Sequence, residues 1–253
     1  MWKTLFRDLQ REGVSGGNAK KVSEVLSTAL QHAVRIGGIL VNPAAPVAKP
    51  RTEQKEIIPF TAEEVRRIRV AASGHRLGAL VLLAITTGAR QGELLALRWE
   101  DFDWDRGEVH IRRSLAQIKG KFLLKEPKSK RGRRVVEVPV FVMESLCERR
   151  KAALTEGTLS APAVFSTKTG SYIGKSNFVR QVHKALLATA GVSYRKFHTY
   201  RHTHVSELLA NGEDVMEVAR RVGDRPEVIL KTYAHWLPRD RGRIVTRLEV
   251  MYA

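Results

Sequence analysis

The sequence predicts a mainly α-helical protein with a small three-stranded antiparallel sheet, arranged as two segments joined by a linker. Three observations predict it. Apolar residues recur at helical spacing through most of the chain. One central stretch changes to short β-branched or alternating runs with basic turns between them. A stretch rich in proline and charge separates a short first segment from a long second one.

Taken in order, Val22, Leu26, Ala29, Leu30 and Ala33 give a helical period between about Asn18 and Leu40. "VNPAAPVAKPRTEQKE" then reads as linker, which places the boundaries at 1–45, 46–58 and 59–253. The second segment opens on "TAEEVRRI", where Thr61 and Glu64 have capping-box spacing. Helical patterns follow over Arg76–Thr87 and Gln91–Leu97. "GEVHIRRSL", "KFLLKEPK" and "RRVVEVPV" read as the three strands. Helices resume at Phe141–Leu154, Ser176–Thr189, His198–Ala210, Asp214–Val222 and Pro226–Tyr233.

With 253 residues, 43% of them hydrophobic, the chain can bury one good-sized core and carry a small appended module. Lys and Arg number 44 against 26 Asp and Glu, a net charge of +18 that favours a polyanionic partner. The single cysteine, Cys147, excludes an internal disulfide or a multi-cysteine zinc site, and its apolar-patterned surroundings predict a buried thiol. "MWKTLFRDLQREG" lacks the apolar centre of a signal peptide. "LGALVLLAITTG" is too short to span a bilayer and reads as a buried helix. A chain of a reducing compartment without membrane attachment is expected.

Three stretches hold residues suited to chemistry. In "FHTYRHTHVSELLANG", His198 and Arg201 stand three apart and share a helix face. A guanidinium fork matches two phosphate oxygens, and an imidazole titrates near neutrality. His198, His202 and His204 could also hint at a metal. The zincin pattern, however, requires Glu directly after the first His, where this chain has Thr199. In "TTGARQGELLALRWEDFD", Arg90 leaves a glycine-containing turn, and Glu93 one turn later could orient Arg90 or Arg201, or simply favour a helix start. In "RRVGDRPEVILKTYAHW", Tyr233 closes a short helix, where most tyrosines are structural.

The order and spacing of these stretches resemble the phage-integrase, or tyrosine recombinase, family. "TGARQGELLAL" is similar to its first box, "KEPKSKRGRRVVEVP" to its hairpin lysine and following strand, "HTYRHTHVSELLANG" to its His-x-x-Arg box and "RVGDRPEVILKTYAH" to its terminal box. "AKKVSEVLSTALQHAVRIGGILVNP" resembles the end of the helical, SAM-like core-binding domain that precedes the catalytic domain. The resemblance implies site-specific DNA strand cleavage and rejoining through a covalent 3′-phosphotyrosine, with no nucleotide cofactor and no obligatory metal.

Carried over to this chain, the resemblance makes Tyr233 the nucleophile, with Arg90 and Arg201 holding the phosphate oxygens and His198 assisting the phenol proton. Lys128 becomes the proton donor to the leaving 5′-oxygen. Lys125, Lys130, Arg131 and Arg133 lie close by as DNA contacts. The implied partners are double-stranded DNA carrying attachment or recombination sites, further protomers in a homotetramer on paired sites, and accessory DNA-bending proteins. The implied location is DNA-associated, in the cytoplasm of a bacterial or phage-infected cell. Beyond Tyr233, Ile244, Leu248, Met251 and Tyr252 make an apolar helical stripe that could dock on a neighbouring protomer or fold back on its own core.

Two features depart from the family. Asp224 stands where His or Trp is usual, beside a phosphate that a carboxylate repels, and is expected to turn towards Arg201 or His198. The core-binding segment has about half its usual size and no arm-binding domain precedes it, as in a truncated chain or an unusually short natural one. Two other readings stay open. "VSELLANGEDVMEVARRVGDRPEVILKTYAH" could be a helix-turn-helix of a DNA-binding module, including an inactive recombinase. A type IB topoisomerase would share the phosphotyrosine chemistry.

Overall fold

Helices dominate the computed structural model, which describes residues 2–48, 56–126, 132–238 and 243–252. The chain divides into Met1–Glu56 and Ile57–Ala253. The first unit is a helix pair, α1 (Trp2–Arg11) and α2 (Gly16–Arg35), with Ser15 capping α2 through the backbone N–H of Asn18. Asn42 closes it by donating to the Ser27 carbonyl at 3.1 Å. The sequence reading had no counterpart of α1.

In the second unit, α3 (Ala62–Ser73) begins at the expected capping box. The Thr61 hydroxyl accepts from Glu64 N–H, and Glu64 Oε2 accepts from Thr61 N–H at 2.8 Å. α4 (Gly78–Thr87) lies in the middle of the core, with Leu80, Val81, Leu83 and Ala84 fully buried, as its unbroken apolar run requires. The short α5 (Gln91–Leu94) and a 3₁₀ turn at Trp99–Asp101 lead into the strands.

The strands are β1 (Phe102–Asp103), β2 (Glu108–Ile111), β3 (Ser114–Ile118), β4 (Lys121–Lys125) and β5 (Arg134–Glu137). A three-stranded antiparallel sheet is present, in the order β1–β2–β5, with Val109 opposite Val136. Its membership differs from the sequence reading. "GEVHIRRSL" breaks into β2 and β3 because Arg112 and Arg113 turn towards the buried Asp101, the latter at 3.4 Å. "KFLLKEPK" pairs with β3 in a separate two-stranded hairpin. That hairpin closes through Lys119 and Gly120, both at positive φ, the geometry of a two-residue turn that matches strand twist.

The remaining helices are α6 (Val140–Thr155), α7 (Lys175–Phe178), α8 (Lys184–Thr189), α9 (Thr199–Ala210), α10 (Val215–Val222), α11 (Pro226–Tyr233) and α12 (Arg243–Tyr252). α7 continues through π-helical Val179–His183 into α8. Cys147 is exposed, contrary to expectation. The buried stripe of α6 is Val142, Leu146, Arg149 and Ala153, and Cys147 lies a further 100° round the helix from Leu146. Among the described residues the apolar interior forms two clusters. The larger packs α3, α4 and the sheet around Leu80, Leu83 and Ile111. The smaller gathers Val205, Leu209, Val218, Val222, Ile229 and Tyr233 from α9, α10 and α11. Among the described residues no helix is long and apolar enough to cross a membrane.

The end of α6 is tied to the start of α4 by Glu156. Its carboxylate accepts two 2.6 Å hydrogen bonds from Arg76 and a 2.9 Å bond from the buried Arg149. Arg76, then Arg149, holds the carboxyl at about 2 against the opposing effect of burial. A depressed carboxyl contributes stability that is complete above its ordinary value of 4.5 and disappears as pH falls through about 2. Glu156→Gln is therefore expected to lower the melting temperature at pH 7 and to flatten its decline between about pH 5 and 2. Thermal unfolding of both proteins across that range checks it. Parallel declines would remove Glu156 from the acid response.

Candidate active site

Charged side chains from four separate stretches meet where α4, α9 and α10 end or begin. Gly88 terminates α4 in the left-handed conformation (φ +60°). A Cβ there would come within 2.8 Å of the His204 ring and 3.0 Å of Val222, so the turn requires glycine. Two residues later Arg90 caps the start of α5. Its backbone N–H donates to Glu93 Oε2 at 3.0 Å, and its Nη1 donates to Glu93 Oε1 at 3.2 Å. α10 ends in a Schellman turn at Gly223 (φ +68°), where Asp224 N–H reaches back to the Ala219 carbonyl at 3.0 Å. This turn fixes the Asp224 carboxylate between two arginines. Oδ1 accepts from Arg90 Nη2 and Oδ2 from Arg201 Nη2, each at 2.5 Å.

Arg201, in the first turn of α9, has a side chain only 3% exposed. Its Nη1 donates to the carbonyls of Gly88 at 2.8 Å and Val222 at 2.7 Å, the C-terminal ends of α4 and α10. Helix C-termini carry partial negative charge, so both ends stabilise the guanidinium. Arg90 is 41% exposed and faces outward. Arg134 on β5 completes the cluster from beneath, donating to Glu93 Oε2 at 2.8 Å and to the Arg221 carbonyl at 2.8 Å. Glu93 thus orients Arg90 and Arg134, and makes no hydrogen bond to Arg201. Burial pushes its carboxyl up, but Arg134 and Arg90 together hold it below its ordinary value.

Tyr233 ends α11 with its ring in the smaller apolar cluster, 4% exposed. Its hydroxyl is hydrogen-bonded to His202 Nδ1 at 2.6 Å. Burial raises the phenol to about 12, with Asp224 adding to the shift and Arg201 opposing it. The His202 imidazole is lowered to about 4 by desolvation, then by His198 and Arg201. His198 precedes α9 and is exposed, its ring edge-on to that of His202 with centroids 4.7 Å apart. Desolvation, Arg201 and Arg90 depress its pKa against Asp224. His204 points elsewhere, accepting from Arg221 Nε at 3.2 Å, so the three histidines do not converge.

Arg90, Glu93, His198, Arg201, Asp224 and Tyr233 are therefore brought together. Lys125 and Arg133 instead line a basic cleft of about 640 Å³ beside the sheet, with Arg98, Arg112, Arg113 and Arg134. Lys128, Lys130 and Arg131 lie outside the described residues. Sequence reasoning passed over two members of the site. Arg134 gives no local signal, since its partner Glu93 is 41 residues away. His202 was considered only as a metal ligand, although it lies one turn from His198 on the same helix face. The arrangement can hold an anion through two oxygens and present a phenol oxygen already hydrogen-bonded to an imidazole. Three arginines against two carboxylates leave a surplus of one positive charge.

A match to the phage integrase family covers residues 58–239. The XerC-like tyrosine recombinase of Caldanaerobacter subterraneus subsp. tengcongensis is 31% identical over 272 residues, spanning 98% of this chain and 69% of that protein. A Tn1549 transposon integrase in complex with a circular-intermediate DNA shares the fold. Its TM-score is 0.80 at 15% identity, over 100% of this chain and 84% of that one. A λ integrase tetramer bound to a Holliday junction matches with TM-score 0.61 at 19% identity, over 88% of this chain and 63% of that one.

The buried pair at the base of the cluster sets an expectation for stability. Glu93→Gln leaves Arg134 buried without its carboxylate, and breaking such a pair from one side costs about 3–5 kcal/mol. A urea midpoint unchanged from wild type would contradict it. Replacing both residues, Glu93→Gln with Arg134→Met, is expected to recover part of the loss.

Proposed function

The chain belongs to the phage integrase family and is a tyrosine site-specific recombinase; we propose that Tyr233 is its nucleophile, attacking one DNA phosphodiester to give a 3′-phosphotyrosyl link and a free 5′-hydroxyl. The observation that carries this reading is the placement of the Tyr233 hydroxyl, held on His202, in a cluster where one carboxylate positions both Arg90 and Arg201. A 5′-hydroxyl from the partner duplex then reverses the step, so the phosphoester is exchanged and no external energy source is consumed.

In this reading Arg90 and Arg201 hold the non-bridging oxygens and stabilise the charge that develops on them in the transition state. His198 lies on the open side of the cluster, next to where the phosphate enters. Lys128 is assigned the protonation of the leaving 5′-oxygen, a role suited to a lysine whose pKa moves readily. The basic cleft lined by Lys125 and Arg133 offers further phosphate contacts, in keeping with the net charge of +18. Asp224 serves as the orienting group for both arginines. Its negative charge is outweighed by the surrounding guanidiniums, so the site still attracts a phosphodiester.

The helix-turn-helix reading finds little support. α10, its candidate reading helix, buries Val218, Ala219 and Val222, and the carbonyls at its C-terminal end are taken by Arg134 and Arg201. We assign residues 1–45 to a partial core-binding segment and propose assembly as a tetramer on paired sites, as in the λ integrase complex on a Holliday junction. On α12, Leu248, Met251 and Tyr252 are exposed at spacings that share a face, which suits docking on a neighbouring protomer. We place the protein on DNA, in the cytoplasm of a bacterial or phage-infected cell.

Trapping on a nicked suicide substrate from the flanking attachment region tests the nucleophile. Wild type is expected to form a protein–DNA adduct that survives denaturing electrophoresis, and Tyr233→Phe to form none. An adduct retained by Tyr233→Phe would move the nucleophile elsewhere. In the same assay Asp224→Asn keeps the shape but loses one carboxylate oxygen as acceptor. It is expected to cleave roughly 10²-fold more slowly, the scale of losing one preorganised group. Cleavage at the wild-type rate would remove the orienting role.

A further inference from the structure

We infer that His202, not His198, takes the proton from the Tyr233 hydroxyl as that oxygen attacks the phosphate. The inference rests on Tyr233 being the nucleophile and adds a residue that the resemblance to the family did not assign. A phenol has one proton to donate. In the described structure the Tyr233 hydroxyl has one hydrogen-bond partner, His202 Nδ1 at 2.6 Å. His198 makes no hydrogen bond to it, and its ring stands edge-on to His202 from the exposed side.

The two histidines sit one helical turn apart, with Arg201 directly before His202. The same turn of α9 therefore sets the phosphate-binding guanidinium and the proton acceptor. Facing His202 are His198 from the cap of α9, Arg201 from α9 and Tyr233 from α11. Desolvation, then His198 and Arg201, keep the imidazole neutral well below pH 7, so Nδ1 has a free lone pair when Nε2 carries the proton. Burial holds the Tyr233 phenol well above its ordinary value, so it is neutral at pH 7 and its proton has to leave as the attack proceeds.

The step balances as follows. An oxygen lone pair of Tyr233 forms the new bond to phosphorus while the bond from phosphorus to the 5′-oxygen breaks, its electron pair staying on that oxygen. The phenol proton passes to His202 Nδ1, giving an imidazolium, and the 5′-oxygen takes a proton from a separate donor, assigned above to Lys128. In the rejoining step the imidazolium returns its proton to the departing phenolate. With Arg201 and His198 at its side, the imidazolium is a strong acid, which favours that return.

Two variants and one spectroscopic measurement test this. His202→Ala should reduce single-turnover cleavage of the suicide substrate by about 10²–10⁴-fold at pH 7, the usual share of a general base. Its rate should then rise with pH while wild type stays flat between pH 6 and 8, and added imidazole should restore part of it. His202→Gln keeps a hydrogen-bond acceptor but takes up no proton, so it should resemble His202→Ala. A Gln variant with wild-type rate and a flat profile would reduce His202 to a positioning residue and overturn the proposal. In the free protein, ¹⁵N NMR should show His202 Nδ1 unprotonated at pH 7 and changed by Tyr233→Phe. A proton on Nδ1 would overturn the proposal whatever the activity. If wild type forms no adduct while the NMR signature is present, the fault lies in the functional reading and not in the hydrogen bond.

Discussion

Arg134, Glu93, Arg90, Asp224 and Arg201 form a single row in which cation and carboxylate alternate, each carboxylate lying between two guanidiniums. The row begins on β5, passes through the start of α5, crosses to the turn after α10 and ends in α9. Four stretches of chain are thereby held in one mutual geometry. Charges with little access to water are tolerated only when paired and hydrogen-bonded, so each member makes its neighbours possible. Glu93 has a second role as the cap of α5, and Asp224 is anchored by its own backbone turn. The carboxylates act as the fixed points, and the arginines are aimed by them.

The charge balance of this row bears on the chemistry. Its surplus of one positive charge equals the single negative charge of a phosphodiester, so binding would bring the site close to neutrality. Asp224 stands where the family usually places a hydrogen-bond donor. Here its carboxylate is committed to two guanidiniums, which in the proposed reading would replace a direct contact with the phosphate. Arg134 contributes a third cation to the row through Glu93, where the sequence pattern gives no hint of one.

Much of the fold was legible in the sequence because it follows from local pattern. The span of α11 and the cap of α3 coincide with their sequence signals, and α10 starts one residue after Asp214, its side-chain cap. Arg90, His198, Arg201, Asp224 and Tyr233 could be named from the order of their boxes, and the chain brings them together. What local pattern could not supply was pairing across distance. The strands were misassigned to one sheet because Arg112 and Arg113 answer to Asp101, a buried carboxylate that alternation of apolar residues does not reveal. Cys147 was misplaced because α6 buries an arginine in its stripe, blurring the apolar face. Arg134 and His202 were missed as site residues because each is defined by a partner from another element.

The two arginines that flank Asp224 differ in how much freedom they retain. Arg90 is partly in water, whereas the guanidinium of Arg201 is clamped by two helix-terminal carbonyls and a carboxylate. A free arginine side chain has about 2 kcal/mol of rotamer entropy to lose when it is immobilised. For Arg201 that loss belongs to folding, so the cluster holds one rigid guanidinium and one adaptable one. Under the proposed roles, such a pair would keep a fixed axis through the reacting phosphorus while Arg90 followed the strand as it is cut, moved and joined again.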